Sequence, residues 1–489
     1  MSHIVNERGF FWWLDEPLLP VHSQETSVPA QLMIDNDGQI TLEVEGSLCG
    51  SDEYRDWSQP RIFPASRRIV GRLMESHDYV LLEGLERTDL ALPGDSPQRQ
   101  TFSVEQCTRR NSPFLDNYRQ EEFRELRVDM DGFEDWLDLD SILVSAERRQ
   151  KDHVQVNVSY KEYEFVSPVL DGTMSINSMT MGADLLGYFA THPQRDVHFR
   201  QKYDLTFRPG RLSDLATLRY VYTTIEEFIA LLTGFYHRLN WPILVRDEQP
   251  FETWNTFYFY RGSSSGRSIN GYFFWVPFAR IRDGFGKLFE KWQLKREALG
   301  AGHYLFISLM RNPHIYSEDR FMNLVWGLEA FHRKSLGQLK NTDRVARERE
   351  RVERIVNSLP QDSEDQRWLR KKLKYAHEPS LEARILECFR ELPFNFGKGQ
   401  LEKFAKECAS RRNDISHEGG PRGDMDYASF MKGTSSLAEA LDYLFHALLL
   451  QQIGIASDIL FETMNKSWLA ERQIKPALAE VGLQIQTSK

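Results

Sequence analysis

The first half of the chain alternates hydrophobic and polar residues with a period of two, which predicts β-strands. Residues 32–44, 154–160 and 197–207 show this alternation, and Asp37-Gly38 at the centre of the first stretch predicts a hairpin turn. The apolar spacing becomes helical over residues 223–239, and strand-like patterns return at 256–260 and 272–275. Residues 1 to about 290 are therefore predicted to form one or two β-rich α+β units.

The second half is helical from about Ser317, with interruptions at Pro360, Pro379, Pro393 and Gly419-Gly420-Pro421, which predicts a separate all-α domain. Its first helix carries a core face formed by Phe321, Leu324, Val325, Leu328 and Phe331. A late helix over residues 437–460 is apolar around so much of its girth that it is either central in a bundle or shared with a second subunit.

We therefore expect a multidomain α+β protein in three parts. These are a β-rich N-terminal domain (1–165), a second α+β part of the same N-terminal region (166–290), and a helical bundle domain (291–489). The 41% apolar content of the 489 residues is enough for such cores. No apolar run approaches the roughly 18 residues of a membrane span, and residues 1–8 lack a signal-peptide pattern, so we expect a soluble cytoplasmic protein that does not engage a membrane.

The cysteines and the net charge narrow the possible chemistry. Cys49, Cys107, Cys388 and Cys408 are scattered without Cys-x2-Cys spacing, which predicts reduced thiols and gives no sign of a metal site or other cofactor. A net charge of −10 argues against a protein that coats nucleic acid through a broad positive field, so any RNA contact should be local.

Two local basic clusters lie in the helical half. In the first, glutamates interleave Arg344, Arg347, Arg349, Arg351 and Arg354, which is typical of a solvated helix face with ion pairs. The second cluster is less balanced and is the better phosphate candidate, with Lys371 and Lys372 as its predicted RNA-binding residues. It consists of Arg367, Arg370, Lys371, Lys372 and Lys374.

An arginine and a histidine at Arg-x4-His spacing are the best indication of function. The spacing occurs three times, and the pairs at positions 72 and 77 and at 148 and 153 lie in stretches typical of solvated connectors. Only Arg412 and His417 lie at the end of an amphipathic helix with a defined stop. Histidine exchanges protons near neutral pH and arginine can clamp a phosphate, so the pair indicates metal-independent RNA cleavage.

The helix that carries this pair should bury one stripe, formed by Leu401, Phe404, Ala405, Cys408 and Ile415. At 3.6 residues per turn, Arg412 lies about 40° from Cys408, so it needs a carboxylate, an inter-subunit groove or a phosphate as partner. His417 lies about 140° further round an ideal helix. The two side chains converge only if the last turn unwinds, and Gly419-Gly420-Pro421 supplies that termination.

These residues resemble the HEPN superfamily, whose members carry Arg-polar-x3-His at a helix end; here the motif is Arg412-Asn413-Asp414-Ile415-Ser416-His417. More specifically, the chain is similar to ApeA-like antiphage-defence proteins, with Gly9-Phe10-Phe11-Trp12-Trp13 ahead of the hairpin at 32–46. The resemblance implies a HEPN-like nuclease domain over 291–489 that dimerises, so that two motifs face one cleft. The 2′-hydroxyl would attack the adjacent phosphate and leave a 2′,3′-cyclic phosphate and a 5′-hydroxyl without a metal.

The resemblance also implies roles for individual residues. His417 would be the general acid or base, Arg412 would neutralise the phosphorane oxygens, and Asn413 would bind the phosphate or fix the histidine. Glu329, on the first bundle helix, would orient Arg412 or His417, and Arg411 would bind RNA.

The expected partners are RNA, such as tRNA, a second copy of the chain or a higher oligomer, and a phage-derived trigger. The N-terminal region would sense that trigger or restrain a toxin that acts in abortive infection. The alternative hypothesis is a non-catalytic module that binds RNA or protein and in which the Arg-x4-His helix end is structural.

Overall fold

The computed structural model describes residues 3–14, 27–46, 48, 61–62, 67–88, 99–114, 122–139, 142–150, 153–169, 171–181, 200–246, 254–262, 274–336, 342–361, 363–376 and 378–488. The chain forms two compact units. The first comprises residues 1–134, 139–224 and 238–264, and the second comprises residues 135–138, 225–237 and 265–489. The division into 1–165, 166–290 and 291–489 stays a prediction beside these two units.

The first unit is built from antiparallel strands. They are β1 (His3–Trp13), β2 (Val28–Asp35), β3 (Ile40–Glu45), β4 (Arg61–Ile62), β5 (Ile69–Leu73), β6 (Tyr79–Arg87), β7 (Arg99–Arg110), β8 (Glu125–Val128), β9 (Ile142–Gln150), β10 (His153–Tyr160), β11 (Glu164–Val169), β12 (Gly172–Met181), β13 (Arg200–Pro209), β14 (Ile243–Val245) and β15 (Trp254–Phe259). Thirteen of them join one sheet, and β9 pairs with β10 alone.

Six strands of the large sheet close on themselves, in the order β7, β3, β2, β1, β5, β6 and back to β7. Their inward-facing side chains form one apolar core, because alternate residues of a strand point to the same face. Gly71 is required there, since a Cβ at this position would lie 2.3 Å from the Phe11 ring. β4 pairs with β6, and the other strands extend the sheet from β7 through β15, β14, β8, β13 and β12 to β11.

Local patterns in this half predicted the strands well. The hairpin is confirmed: β2 and β3 pair around Asp37-Gly38, and the Asp35 carboxylate accepts hydrogen bonds from the backbone at Asp37 (2.9 Å) and Gln39 (2.8 Å). The stretch predicted at 154–160 is a strand. Of the stretch predicted at 197–207, residues 200–207 are a strand, and residues 197–199 lie outside the described residues. The strand predicted at 272–275 falls largely outside the described residues, and Phe274 and Trp275 are not in a strand.

The helices are α1 (Phe133–Leu137), α2 (Leu215–Thr233), α3 (Phe285–Leu299), α4 (Ala301–Arg311), α5 (Ser317–Phe331), α6 (Thr342–Asn357), α7 (Glu364–Lys372), α8 (Leu381–Arg390), α9 (Gln400–Asn413), α10 (Tyr427–Gln452), α11 (Ser457–Asn465) and α12 (Lys475–Glu480). Three π-helical segments lie at His332–Leu336, Asp414–Glu418 and Ala470–Ile474. The short strands β16 (Phe394–Phe396) and β17 (Ile485–Ser488) pair with each other. The expected α+β class, with strands first and a helical region after them, is confirmed.

The helices differ from the prediction in three places. The helical region begins before Ser317, because α3 and α4 precede α5. The helix expected at 223–239 is α2, which begins earlier, at Leu215, and ends at Thr233 because Gly234 adopts φ +84°. The late helix expected at 437–460 is two helices, α10 and α11, because the chain turns at Gly454 with φ +95°.

α10 is the central helix of the second unit, where it packs against α5, α8, α11 and α12. The apolar residues of its girth, including Leu441, Phe445 and Leu448, are fully buried within the single chain. The central-in-a-bundle alternative therefore accounts for them, and no second subunit is needed to cover them. Within the described segments, none of the helices has the length and apolar content required to traverse a bilayer.

Candidate active site

The Arg-x4-His motif lies where α9 changes into a π-helix. Arg412 is in the last turn of α9, and His417 lies in the π-helical segment Asp414–Glu418, which ends at Gly419 with φ +69°. A π-helix bonds residue i to residue i+5 and has more residues per turn than an α-helix, so residues five apart lie closer in angle than the 140° of an ideal α-helix. The last turn departs from α geometry, as convergence of the two side chains requires, but it widens rather than unwinds.

The motif residues differ in exposure, since Arg412 is partly buried while Asn413 and His417 are exposed. The guanidinium of Arg412 donates a hydrogen bond from Nη1 to Oδ1 of Asn413 (3.2 Å), while its Nε–H is buried and meets no hydrogen-bond acceptor among the described residues. The one hydrogen bond found for the Arg412 guanidinium among the described residues is to its neighbour Asn413, so no carboxylate or carbonyl of another element holds it there.

Arg411 fixes the end of α9 to α10. Its guanidinium is buried, donates from Nη1 to the Phe430 carbonyl and to the Thr434 hydroxyl (2.8 Å), and lies 4.3 Å from the Phe430 ring centroid. The neighbouring Gly433 leaves room for it, since a Cβ there would lie 3.1 Å from Nη2. Arg411 is thus committed to α10, and its expected role as an RNA-binding residue stays a prediction.

The segment after the motif folds back onto the π-helix. Arg422 pairs with Asp414, with 2.8 Å between Nε and Oδ1, and lies 3.9 Å from Glu418. The next helix, α10, is capped by Asp426, whose carboxylate accepts a hydrogen bond from the Ser429 backbone (2.9 Å). The widened turn is therefore held on one side by Arg411 and on the other by Arg422.

Glu329 lies on α5, which packs against α9. Its carboxylate accepts a hydrogen bond from Arg333 (3.0 Å), one turn along the same chain segment. The expected contact of Glu329 with Arg412 or His417 is not found among the described interactions. The spacing of Glu329 and Arg333 is that of a common i,i+4 ion pair, a signal that the sequence already contained.

A buried charge network continues from Arg333 and was not anticipated. Glu378 pairs with Arg333 (3.4 Å) and with Arg384 (2.6 Å), and Arg384 lies 3.3 Å from Nδ1 of the fully buried His332. The opposite nitrogen of His332 lies 2.8 Å from the Glu387 carboxylate. The network fastens the start of the π-helix His332–Leu336 to α8, and its partners are too far apart in sequence for a pattern to reveal.

Lys371 and Lys372 are exposed at the C-terminal end of α7. This helix packs mainly against α6, and the described contacts do not bring the two lysines to the motif. They belong to a separate surface of the same unit.

The buried thiols of this unit are poor nucleophiles. Burial raises the pKa of Cys388 and of Cys408 well above the usual range, so both stay protonated. The second unit also contains a cavity of about 460 Å³ near α4, α5 and α10, lined by Arg320, Glu439 and Asp442 among others. None of the motif residues Arg412, Asn413 and His417 lines this cavity.

The fold and the motif define a HEPN-type helical bundle. One of its helices ends at the surface with an Arg-polar-x3-His motif. Comparison with known families supports this class: residues 322–459 match the Apea-like HEPN family, and residues 7–292 match ApeA N-terminal domain 1. The second match covers more than half of the chain, and the chain belongs to the ApeA family of antiphage-defence proteins. Searches among curated proteins and among solved structures found no significant match.

Proposed function

We propose that the chain is a metal-independent endoribonuclease that acts in antiphage defence. The observation that carries the proposal is the placement of Arg412, Asn413 and His417 on one exposed, widened helix end. This helix end carries a cation that could bind phosphate, an amide and a proton-transfer group. Membership of a HEPN-containing family supports the same reaction class, because the HEPN superfamily includes ribonucleases.

In the proposed reaction the ribose 2′-hydroxyl loses its proton to a general base and its oxygen bonds to the adjacent phosphorus. The bond from phosphorus to the 5′-oxygen breaks, and a general acid protonates that oxygen. The products are a 2′,3′-cyclic phosphate and a 5′-hydroxyl. Arg412 would stabilise the charge on the phosphorane oxygens, and Asn413 would donate a hydrogen bond to them.

Two proton-transfer groups are needed, and each motif supplies one imidazole, His417. A homodimer that faces two motifs across one cleft would supply both, one as base and one as acid. This requirement supports a dimer through the HEPN domain independently of α10, whose apolar girth is already buried within one chain. The N-terminal region would sense a phage-derived trigger or restrain the nuclease, with RNA such as tRNA as substrate.

The test is an RNA-cleavage assay in excess chelator with wild type and the Arg412→Ala and His417→Ala variants. His314→Ala is a matched control, because His314 is another exposed histidine of the same unit. We expect discrete cuts by wild type and His314→Ala and none by the two motif variants. Cleavage that survives in His417→Ala would overturn the assignment, and RNA binding without cleavage by wild type would favour the non-catalytic module.

A trigger requirement would leave the purified wild type silent. The same set of proteins is therefore also assayed in extract from phage-infected cells. Deletion of residues 1–290 is a poor substitute for a trigger, because residues 225–237 belong to the second unit. That deletion would remove Glu227, whose carboxylate pairs with the buried Arg296 of α3 at 2.6 Å, and should destabilise the remaining fragment.

A further inference from the structure

The helix α7 and the turn after it carry an unusual concentration of unpaired positive charge. The five cations Arg367, Arg370, Lys371, Lys372 and Lys374 are all exposed, and none of their side chains forms an ion pair or a hydrogen bond with a residue that the structure describes. The cations of α6 differ, because glutamates alternate with them and Arg351 lies 3.8 Å from Glu348. On a chain of net charge −10, the α7 surface is a local positive patch.

Two large aromatic side chains are exposed within the same patch. Trp368 is 59% exposed and Tyr375 is 61% exposed. At 3.6 residues per turn, Trp368 lies about 60° from Lys371 on one side and about 40° from Lys372 on the other. The indole ring is therefore flanked by cations on both sides, and Lys374 lies 5.1 Å from the Tyr375 ring.

The patch is presented by an anchored helix rather than a loose segment. Ser363 caps α7 by accepting a hydrogen bond from the Gln366 backbone (3.1 Å), and the buried Gln366 side chain donates to the Val356 carbonyl of α6 (3.3 Å). Leu369 and Leu373 are partly buried, and on an ideal helix they lie about 100° and 140° from Trp368. The surface that carries the cations and the aromatic rings is thus held outward.

A simpler account is that basic residues favour the C-terminal end of any helix. It explains part of the charge, namely Arg370, Lys371 and Lys372. It does not explain why Trp368 and Tyr375 remain exposed beside them, since large aromatic residues normally bury their apolar area.

We propose that this surface, defined by Arg367, Trp368, Arg370, Lys371, Lys372, Lys374 and Tyr375, is a docking platform for single-stranded RNA. The cations would contact phosphates, and Trp368 and Tyr375 would stack on unpaired bases. Stacking on side chains requires bases that are free of a duplex, so the platform selects loops and single strands. This inference rests on the proposed nuclease function, because the RNA bound at the platform would be the substrate of the nuclease.

The structure favours RNA over an anionic membrane as the occupant. A membrane-binding helix needs a broad apolar face to insert, whereas the leucines of α7 face the protein and only one large apolar ring lies on the exposed part of this short helix. Charge complementarity and exposed rings interleaved with cations are instead typical of single-strand binding.

The test is a binding titration in the His417→Ala background, so that no substrate is consumed. The probes are a short labelled single-stranded RNA without secondary structure and its blunt duplex. The first variant replaces Arg367, Arg370, Lys371 and Lys372 with glutamine, and the second is Trp368→Ala. The matched control replaces the same number of cations on α6, namely Arg347, Arg349, Arg351 and Arg354.

For the charge variant we expect weaker single-strand binding. The slope of log K against log salt concentration should become shallower by as much as about 2.8, because each of the four lost phosphate contacts contributes roughly 0.7. Trp368→Ala should weaken single-strand binding about 5- to 150-fold, the range that base stacking contributes, and change duplex binding much less. The α6 control should bind as the parent does.

Single-strand affinity and salt dependence that are unchanged in both variants would overturn the proposal. An equal loss of duplex affinity in Trp368→Ala would also overturn it. So would Trp368-dependent binding to vesicles of phosphatidylcholine and phosphatidylserine in place of RNA. The nuclease proposal fails separately: if wild type cuts no RNA in buffer or infected extract but binds single strands through α7, only the docking platform stands. If cleavage requires His417 but RNA affinity is unchanged in the α7 variants, only the nuclease proposal is supported.

Discussion

Arg411 and Arg412 are neighbours in sequence with opposite surroundings, so we expect opposite results when each is replaced by alanine. Arg411→Ala removes two hydrogen bonds from a buried guanidinium and its contact with the Phe430 ring. Hydrogen bonds to charged groups contribute about 1.5–3 kcal/mol each, but removing the cation also relieves the cost of burying it. We expect the free energy of unfolding to fall by about 2–4 kcal/mol.

Arg412→Ala removes one hydrogen bond of 3.2 Å to the exposed side chain of Asn413. We expect it to change the free energy of unfolding by less than about 1 kcal/mol and yet to abolish RNA cleavage. Arg411→Ala should reduce cleavage only in proportion to the loosening of the turn that carries His417. The pair therefore separates a residue that supports the site from a residue that acts in it.

The assay is urea denaturation followed by far-UV circular dichroism, which reports chiefly on the helices. Because the chain has two units, the midpoint of the helical transition is compared between variants at unchanged slope. A double-mutant cycle with Thr434→Val should give a coupling energy to Arg411 of about 1–2 kcal/mol. An unchanged midpoint in Arg411→Ala, or equal losses in both arginine variants, would show that Arg411 does not hold the end of α9 on α10.

Three further predictions follow from the same unit. Burial lowers the pKa of His446 from 6.5 to about 4, so this histidine stays neutral in the fold while the unfolded chain takes up a proton; stability should fall between pH 6.5 and pH 4, and His446→Gln should flatten that dependence in pH-dependent denaturation. Arg422→Ala breaks the surface ion pair with Asp414, and we expect the free energy of unfolding to fall by less than about 1 kcal/mol while RNA cleavage drops measurably. A larger loss in the free energy of unfolding would count against a purely local role for Arg422. Iodoacetamide should leave Cys388 and Cys408 unmodified in the native protein, because burial raises the pKa of both thiols; rapid alkylation seen by mass spectrometry would contradict their burial.

Elements specified by local signals could be predicted from the sequence. The hairpin at Asp37-Gly38 forms because the turn residues and the alternation on both sides agree. The start of α5 at Ser317 and its buried face were also predictable. The break at Gly454 was readable in principle, but the continuous apolar pattern on both sides of it suggested one helix.

The candidate site was only partly predictable. At 3.6 residues per turn, Arg411 and Arg412 lie about 60° and 40° from Cys408 on opposite sides, so periodicity cannot decide which of them faces α10. That choice depends on Phe430 and Thr434, which only the fold brings to α9. The π-helical widening at Asp414–Glu418 likewise leaves no periodic signal, because a single wide turn is too short to establish a different spacing of apolar residues.

The central claim is that His417 and Arg412 cleave RNA by attack of the 2′-hydroxyl on the neighbouring phosphate. The chemistry of the fragment ends tests it most directly, measured by mass spectrometry on the products of wild type and His417→Ala in excess chelator. We expect wild type to leave 2′,3′-cyclic phosphates and 5′-hydroxyls and His417→Ala to leave the RNA uncut. Fragments that carry 3′-hydroxyls and 5′-phosphates, or equal cutting by both proteins, would contradict the account.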